Sequence, residues 1–192
     1  MPSIIAISLA FFLSKAALKT GCGLVTVFVP KCGYTVIQTA IPEIMVLTDV
    51  EDKYISEIIF AIKPQAIGIG PGMGQELETQ NALINFLKQN SIPLVVDADA
   101  LNILSINNTL LKDLPPQTIL TPHLKELERL IGKWDSESEK IEKTIAFSKK
   151  YQLLKRSMRD SYIMISNIAN ILLDYEKNYD LCRLERYKRE EF

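Results

Sequence analysis

A unit made of a short apolar segment, a polar or glycine-rich turn and a helical segment occurs three times in succession in this chain. The apolar segments span 66–69, 93–96 and 118–120. Strands that alternate with helices predict right-handed crossovers and a mainly parallel sheet with helices on both faces. The β-branched run at 24–29, between glycine and proline, is typical of a further buried strand. The sequence therefore predicts an α/β fold.

Apolar patterning predicts two further helices. The run at 4–13 has the length of a signal-peptide core, but no Lys or Arg precedes it, and it is too short to span a membrane. It indicates a buried helix that continues to Leu18. At 54–61, the spacing of the isoleucines predicts a helix with one apolar face, made by Ile55, Ile58, Ile59 and Ile62.

The length and composition indicate one soluble domain. A chain of 192 residues can bury a sizeable core, so we expect a single domain over 1–192. Its 47% hydrophobic content and net charge of -1 give no basic excess for nucleic acid or an anionic membrane. Three cysteines without CxxC spacing argue against a disulfide framework and favour a reducing cytoplasm. From about residue 153 the alternation fades, and the charge-dense stretch at 181–192 predicts a solvated tail.

The three turns are the candidate functional positions. Ligands bind beyond the carboxyl ends of the strands in a parallel sheet, so the turns are expected to line one crevice. The first turn, 68–74, lacks both the GxGxxG spacing and the Gly-Lys-Ser/Thr ending of a Walker A loop. Its glycines leave backbone N–H groups free to approach an anionic or bulky ligand, and the alternative is a merely tight turn.

Two carboxylates and an amide follow the second strand. Asp97, Asp99 and Asn102 could hold a sugar hydroxyl or orient a hydrated magnesium ion that bridges phosphates. Equally, Asp99 could simply cap its helix. The sequence alone leaves both possibilities open.

The third turn holds the single histidine of the chain. Thr121 can be the N-cap and Pro122 the first helical residue, which places His123 at the dipole-positive start of a helix. His123 is then either a ligand contact or a structural residue. With one histidine and no GxSxG elbow, the sequence offers little of the machinery of hydrolases.

Five motifs stand in order along the chain: KAALKTGCGLVTV at 15–27, PEIM at 42–45, GIGPGMG at 68–74, VDADALN at 96–102 and LTPH at 120–123. Together they resemble the NAD(P)H-hydrate dehydratases, the carbohydrate-kinase-like YjeF C-terminal family, over about residues 14–152. The resemblance implies a ribokinase-like fold. It also implies a cytoplasmic hydro-lyase that uses ADP or ATP to dehydrate hydrated NAD(P)H to NAD(P)H, a repair of nicotinamide nucleotides.

The same resemblance implies site residues and cofactors. By motif matching, Gly72 and His123 would contact the hydrated dinucleotide. Gly74, Asp99 and Asn102 would support the same pocket. The implied cofactors are an adenine nucleotide, ADP or ATP, and Mg2+.

Two departures from the family pattern bear on activity. The 4–13 segment stands where family members usually begin with a strand and a glycine-rich turn. The later Gly-Gly-Thr/Ser-Gly-Asp turn, which supplies an anion hole and a catalytic Asp, has no counterpart, because no glycine follows Gly132. Only Leu154-Lys155-Arg156 resembles the family in that stretch, so the sequence offers no catalytic residue there.

Two alternatives therefore stay open. One is a ribokinase-like small-molecule kinase, which needs the same Gly-Asp turn. The other is a non-catalytic fragment of a truncated or frameshifted gene that at most binds nucleotide. Missing strands would leave apolar sheet edges exposed, which predicts association into a homo-oligomer.

Overall fold

The structure is a computed structural model that describes residues 2–151 and residue 153. Helices and strands alternate along this part of the chain. In order they are α1 (Pro2–Lys19), β1 (Thr26–Val29), α2 (Gly33–Ala40), β2 (Met45–Thr48), β3 (Ile67–Ile69), α3 (Leu77–Gln89), β4 (Leu94–Val96), α4 (Ala98–Ile106), a 3-10 helix (Asn108–Lys112), β5 (Ile119–Leu120), α5 (Leu124–Ile131) and α6 (Glu137–Lys150).

The central three strands form a parallel sheet in the order β3-β4-β5. Ile67 pairs with Leu94, and Val95 pairs with Ile119. The middle strand is an unbroken apolar run whose three side chains are each at most 5% exposed. Such a run suits a strand that is covered on both faces. The three strand-turn-helix units predicted from the sequence are confirmed.

Helices α3 and α4 supply much of the core that packs on this sheet. Leu83 and Leu87 of α3 are buried one turn apart, and so are Leu101 and Leu104 of α4. Spacings of three and four residues place such side chains on one helical face. Burying each of them is worth roughly 1.5–3 kcal/mol. This packing fixes where the turns at the strand ends lie.

A second parallel pair, β1 with β2, is connected through α2. Neither α2 nor β2 was predicted from the sequence. The predicted helix at 4–18 is confirmed as part of α1, which packs against α2 and β1. The buried side chains that join these elements are four isoleucines, Ile7, Ile37, Ile41 and Ile44. Within the described residues, no helix has the length and apolarity needed to cross a membrane.

The helix predicted over 54–61 is wrong, because this segment is irregular. The Ser56 backbone N–H donates to Asp49 Oδ2 at 2.6 Å. The Ile55 carbonyl accepts a hydrogen bond from Thr79 Oγ1 at 3.0 Å. Local backbone groups that bond to side chains in this way compete with a helical hydrogen-bond pattern. Tertiary contacts have therefore overridden the helical spacing of the isoleucines.

The predicted solvated tail and the Leu154-Lys155-Arg156 element lie outside the described residues. The expected position of the Gly-Asp turn lies outside them as well. The last described residue, Leu153, is buried in the core of the three-stranded sheet.

Candidate functional site

The turns after β3, β4 and β5 lie side by side at one edge of the sheet. The ladders continue past the strand ends, since the Asp97 backbone N–H donates to the Ile69 carbonyl at 3.0 Å. The Thr121 backbone N–H likewise donates to the Val96 carbonyl at 3.1 Å. The parallel topology predicted this arrangement, because the carboxyl ends of parallel strands meet at the same edge.

The glycine turn packs closely against the neighbouring strand end. Gly70 has a φ of 123°, and a Cβ at this position would collide with the carbonyl oxygen of Asp97. Gly72 and Gly74 have φ values of 70° and 86°, a region that favours glycine. The glycines thus permit both the shape of the turn and its approach to the next strand. Close packing against Asp97 explains why position 70 is a glycine. Gly72 lies two residues further along the same turn, and its positive φ favours glycine there.

Asp99 ties this turn to α4. Its Oδ2 accepts from the Gly74 backbone N–H at 3.1 Å, and its Oδ1 accepts from Gln75 Nε2 at 2.8 Å. The N-cap of α4 is Asp97, whose Oδ1 accepts from the Ala98 backbone N–H at 2.8 Å. The capping role considered for Asp99 is therefore wrong. The side chain braces the glycine turn instead.

Asn102 joins α4 to α5. It lies one turn after Asp99, and its Oδ1 accepts a hydrogen bond from Arg129 Nη1. Arg129 is on α5, the helix that begins after His123. Asn102 thus helps to set the distance between the second and third turns.

His123, and not Thr121, is the N-cap of α5. Its Nδ1 accepts from the backbone N–H groups of Lys125 and Glu126 at 3.1 and 3.4 Å. Glu126 Oε2 accepts in return from the His123 backbone N–H at 3.0 Å, which completes a capping box. Thr121 is unsuitable as the cap because it is buried and its hydroxyl donates to the Val96 carbonyl at 3.2 Å.

Two carboxylates near His123 are almost fully buried, Asp97 at 4% and Glu126 at 5% exposure. Burial raises the pKa of Asp97, and the hydrogen bond from the Ala98 backbone N–H, with the charge of His123 when that ring is protonated, opposes this only in part. Burial also raises the pKa of Glu126, against the hydrogen bond and the charge of His123. Carboxyl groups whose pKa is raised in a crevice are typical of functional sites.

The sequence reasoning did not select Glu126 as a site residue. The signal that could have found it is the spacing of three residues between a cap and a glutamate. Of the five predicted site residues, Gly74 and Asp99 are joined by a hydrogen bond. Gly72 lies in the same turn as Gly74. Asn102 and His123 are connected through α5.

The donors at this edge limit how a metal ion could be held. Among the described residues, no three His, Cys, Asp or Glu side chains are grouped as metal ligands. Both carboxylate oxygens of Asp99 and of Glu126 already contact protein groups. Asp97 accepts a hydrogen bond from the Ala98 backbone N–H at its Oδ1. It is the best candidate to orient the water shell of a cation.

Comparison with known families places these turns in a family context. A family model described as NAD(P)H-hydrate dehydratase matches residues 9–158, a range that includes all five predicted site residues. The chain is 39% identical over 123 residues to the ADP-dependent (S)-NAD(P)H-hydrate dehydratase of Staphylococcus aureus, covering 62% of this chain and 42% of that protein. It is 35% identical over 129 residues to the ATP-dependent (S)-NAD(P)H-hydrate dehydratase of Pediculus humanus, covering 66% and 43%. The chain thus spans about two fifths of the length of these relatives.

Solved structures show the same fold. A ribokinase-like superfamily protein from Enterococcus faecalis matches with a TM-score of 0.56 at 23% identity, covering 79% of this chain and 52% of that one. The ADP/ATP-dependent NAD(P)H-hydrate dehydratase of Bacillus subtilis, co-crystallised with ATP and Mg2+, matches with a TM-score of 0.61 at 21% identity, covering 81% and 55%. The predicted ribokinase-like α/β fold is confirmed.

Proposed function

The chain belongs to the NAD(P)H-hydrate dehydratase family, and on this basis we propose that it carries the dinucleotide-binding part of an ADP- or ATP-dependent dehydratase. The observation that carries the proposal is the braced crevice edge. Asp99 ties the glycine turn to α4, and His123 caps α5 at the end of a neighbouring strand. Both features fall within the family match.

The proposed reaction is a net dehydration. In this scheme the adenine nucleotide transfers its terminal phosphoryl group to the ring hydroxyl of hydrated NAD(P)H. The resulting phosphate then leaves together with a ring proton, which yields the dihydropyridine, inorganic phosphate and a nucleotide shorter by one phosphate. In this scheme Gly72 and His123 contact the dinucleotide. Gly74, Asp99 and Asn102 support them, since their bonds hold the glycine turn and the two helices in place.

Magnesium would accompany the nucleotide in this proposal. Asp97 supplies the hard oxygen donor that Mg2+ prefers, and it would hold the ion through water. The bound ion would neutralise charge on the phosphates.

The test uses the purified chain with hydrated NADH and either ADP or ATP, following the absorbance of the restored dihydropyridine. Turnover that is lost in His123→Gln but kept in Glu128→Gln supports the dehydratase. The control removes a carboxylate from the same helix, two residues beyond Glu126. Failure of wild-type chain to bind or convert the dinucleotide contradicts the proposal.

Binding without turnover defines the second candidate, a protein that recognises the dinucleotide but needs other residues for catalysis. What favours it is that the five proposed site residues bind or support, and none of them is proposed as a catalytic base. A ribokinase-like kinase would instead transfer phosphate from ATP to a small alcohol without forming NADH. The products of one incubation with ATP therefore separate the three possibilities.

We also propose that copies of the chain associate. Several large apolar side chains of the described residues are strongly exposed, among them Leu24 at 73%, Val50 at 82% and Ile59 at 66%. Exposed apolar surface favours association. Light scattering of the purified chain tests this, and a stable monomer across a wide concentration range would contradict it.

A further inference from the structure

The contacts of His123 fix which ring nitrogen carries the proton. Nδ1 accepts hydrogen bonds from two backbone N–H groups, those of Lys125 and Glu126. A ring nitrogen that accepts a hydrogen bond carries no proton, so the proton of the neutral ring lies on Nε2. The capping of α5 by Nδ1 therefore requires the tautomer whose proton lies on Nε2.

Glu126 contacts the same histidine at a second point. Its Oε1 lies 3.2 Å from Nε2, while its Oε2 holds the His123 backbone N–H at 3.0 Å. The Glu126 side chain is 6% exposed and the His123 side chain is 45% exposed. The carboxylate is thus shielded from water, where its attraction for the Nε2 proton is stronger than in solvent. The ring is the part of the pair that a ligand can reach.

We propose that Glu126 is the positioning residue of His123: it holds the ring in the orientation in which Nδ1 accepts the two backbone hydrogen bonds, and in this way it keeps the proton on Nε2. His123 then meets the ligand as a neutral, oriented ring and does not act as a base through Nδ1. The statement about the ligand rests on the proposed function, whereas the statement about the ring does not. Asp97 and Arg129 also act electrostatically on this pair, so the measurements keep both residues unchanged.

The tautomer can be measured directly because the chain has one histidine. The full chain, labelled with nitrogen-15 and freed of any histidine tag, gives long-range proton-nitrogen NMR signals from His123 alone. We expect the pattern of a ring protonated at Nε2, at a pH where the ring is neutral. A proton on Nδ1, or rapid averaging between the two nitrogens, would overturn the proposal without any variant.

Substitution then tests the role of Glu126. Glu126→Gln keeps the size of the side chain but removes the charge beside Nε2, and we expect its His123 signals to shift toward a mixture of tautomers. Glu128→Gln, which makes the same chemical change elsewhere on α5, should leave the signals as in wild type. Unchanged signals in a folded Glu126→Gln protein would refute the positioning role.

Ligand affinity provides the link to function. NADH, the product of the proposed reaction, is titrated by its fluorescence into wild type, Glu126→Gln, His123→Gln and the double variant. We expect Glu126→Gln to weaken binding about tenfold, the effect of losing one charge-assisted contact. In the His123→Gln background the same change should have almost no further effect. Additive losses would contradict action through His123, and a wild type that fails to bind NADH would reject the proposed function while the NMR result still decides the positioning role.

Discussion

Gly70→Ala is expected to be among the most destabilising small substitutions in the described part of the chain. Gly70 directly follows β3 and has a φ of 123°, and a Cβ here would meet the Asp97 carbonyl oxygen, a backbone atom. Its methyl group would also lie 2.9 Å from the Cβ of Ala100 on α4. Neither neighbour is the flexible end of a long side chain, so the strands themselves would have to separate.

The size of the effect follows from two contributions. A non-glycine residue held in a sparsely populated backbone region costs about 1–3 kcal/mol. Forcing an extra group into a packed site costs about 1–3 kcal/mol more. We therefore expect a loss of about 3 kcal/mol or more. Gly68, two residues earlier on the same strand, is the control: a Cβ there meets nothing within 4 Å. Gly68→Ala should change stability by less than about 1 kcal/mol, and in the stabilising direction.

Urea denaturation followed by circular dichroism measures both variants against wild type. The prediction compares the midpoints at equal slope, since a changed slope would signal a change in the denatured state. If Gly70→Ala and Gly68→Ala unfolded at the same urea concentration, the packing of the glycine turn against Asp97 would be refuted.

Three further predictions concern carboxylates. Asp97→Asn should raise the unfolding temperature by a few degrees at pH 7, because burial raises the pKa of Asp97 and its charged form opposes folding; below about pH 3.8, where the carboxyl is protonated in both states, the difference should vanish. Asp49→Asn should have the opposite effect at pH 7. Burial raises the pKa of Asp49, but four hydrogen bonds outweigh burial and lower it, so the charged carboxylate stabilises the fold above about pH 3.8. Loss of this charge should cost about 1–3 kcal/mol of stability at pH 7, and the cost should fade as the pH falls. Thermal unfolding from pH 3 to pH 8, a range of about five units chosen to bracket the titration of carboxyl groups, checks both, and equal signs at pH 7 would contradict them. Asp99→Ala should weaken NADH binding about threefold to tenfold with little loss of stability, because it frees the Gly74 turn; a fluorescence titration unchanged from wild type would contradict this role.

The sequence was most informative where local pattern and tertiary environment agree. Val95 and its two apolar neighbours predicted a strand in a sheet covered on both faces, and in the structure all three of these residues are buried. The single parallel edge for the three turns followed from topology alone. The family resemblance added expected roles for residues in these turns, which their position alone could not supply.

The sequence-based predictions were wrong where a side chain from a distant part of the chain forms hydrogen bonds with backbone groups. At 54–61 the isoleucine spacing is helical, but Asp49 and Thr79 bond to this segment from outside it. The assignment of Asp99 as a possible cap failed for a related reason, because its acceptors serve a turn 25 residues earlier. Such bonds leave no periodic signal in the sequence.

Groups that oppose folding, namely buried carboxylates and a residue with an uncommon backbone conformation, lie at the edge of the sheet that the family match also includes. Asp49 is buried, but its hydrogen bonds favour the charged form, so it stabilises the fold. Asp97 and Glu126 are equally buried, and burial prevails over their bonds. Ala98, the residue after Asp97, has a φ of 47°, which is uncommon for a residue with a side chain. Strained backbone and buried carboxyl groups with a raised pKa cluster at functional sites. If Asp97→Asn both stabilised the fold and weakened ligand binding, this would show directly that the Asp97 carboxylate lowers stability and contributes to binding.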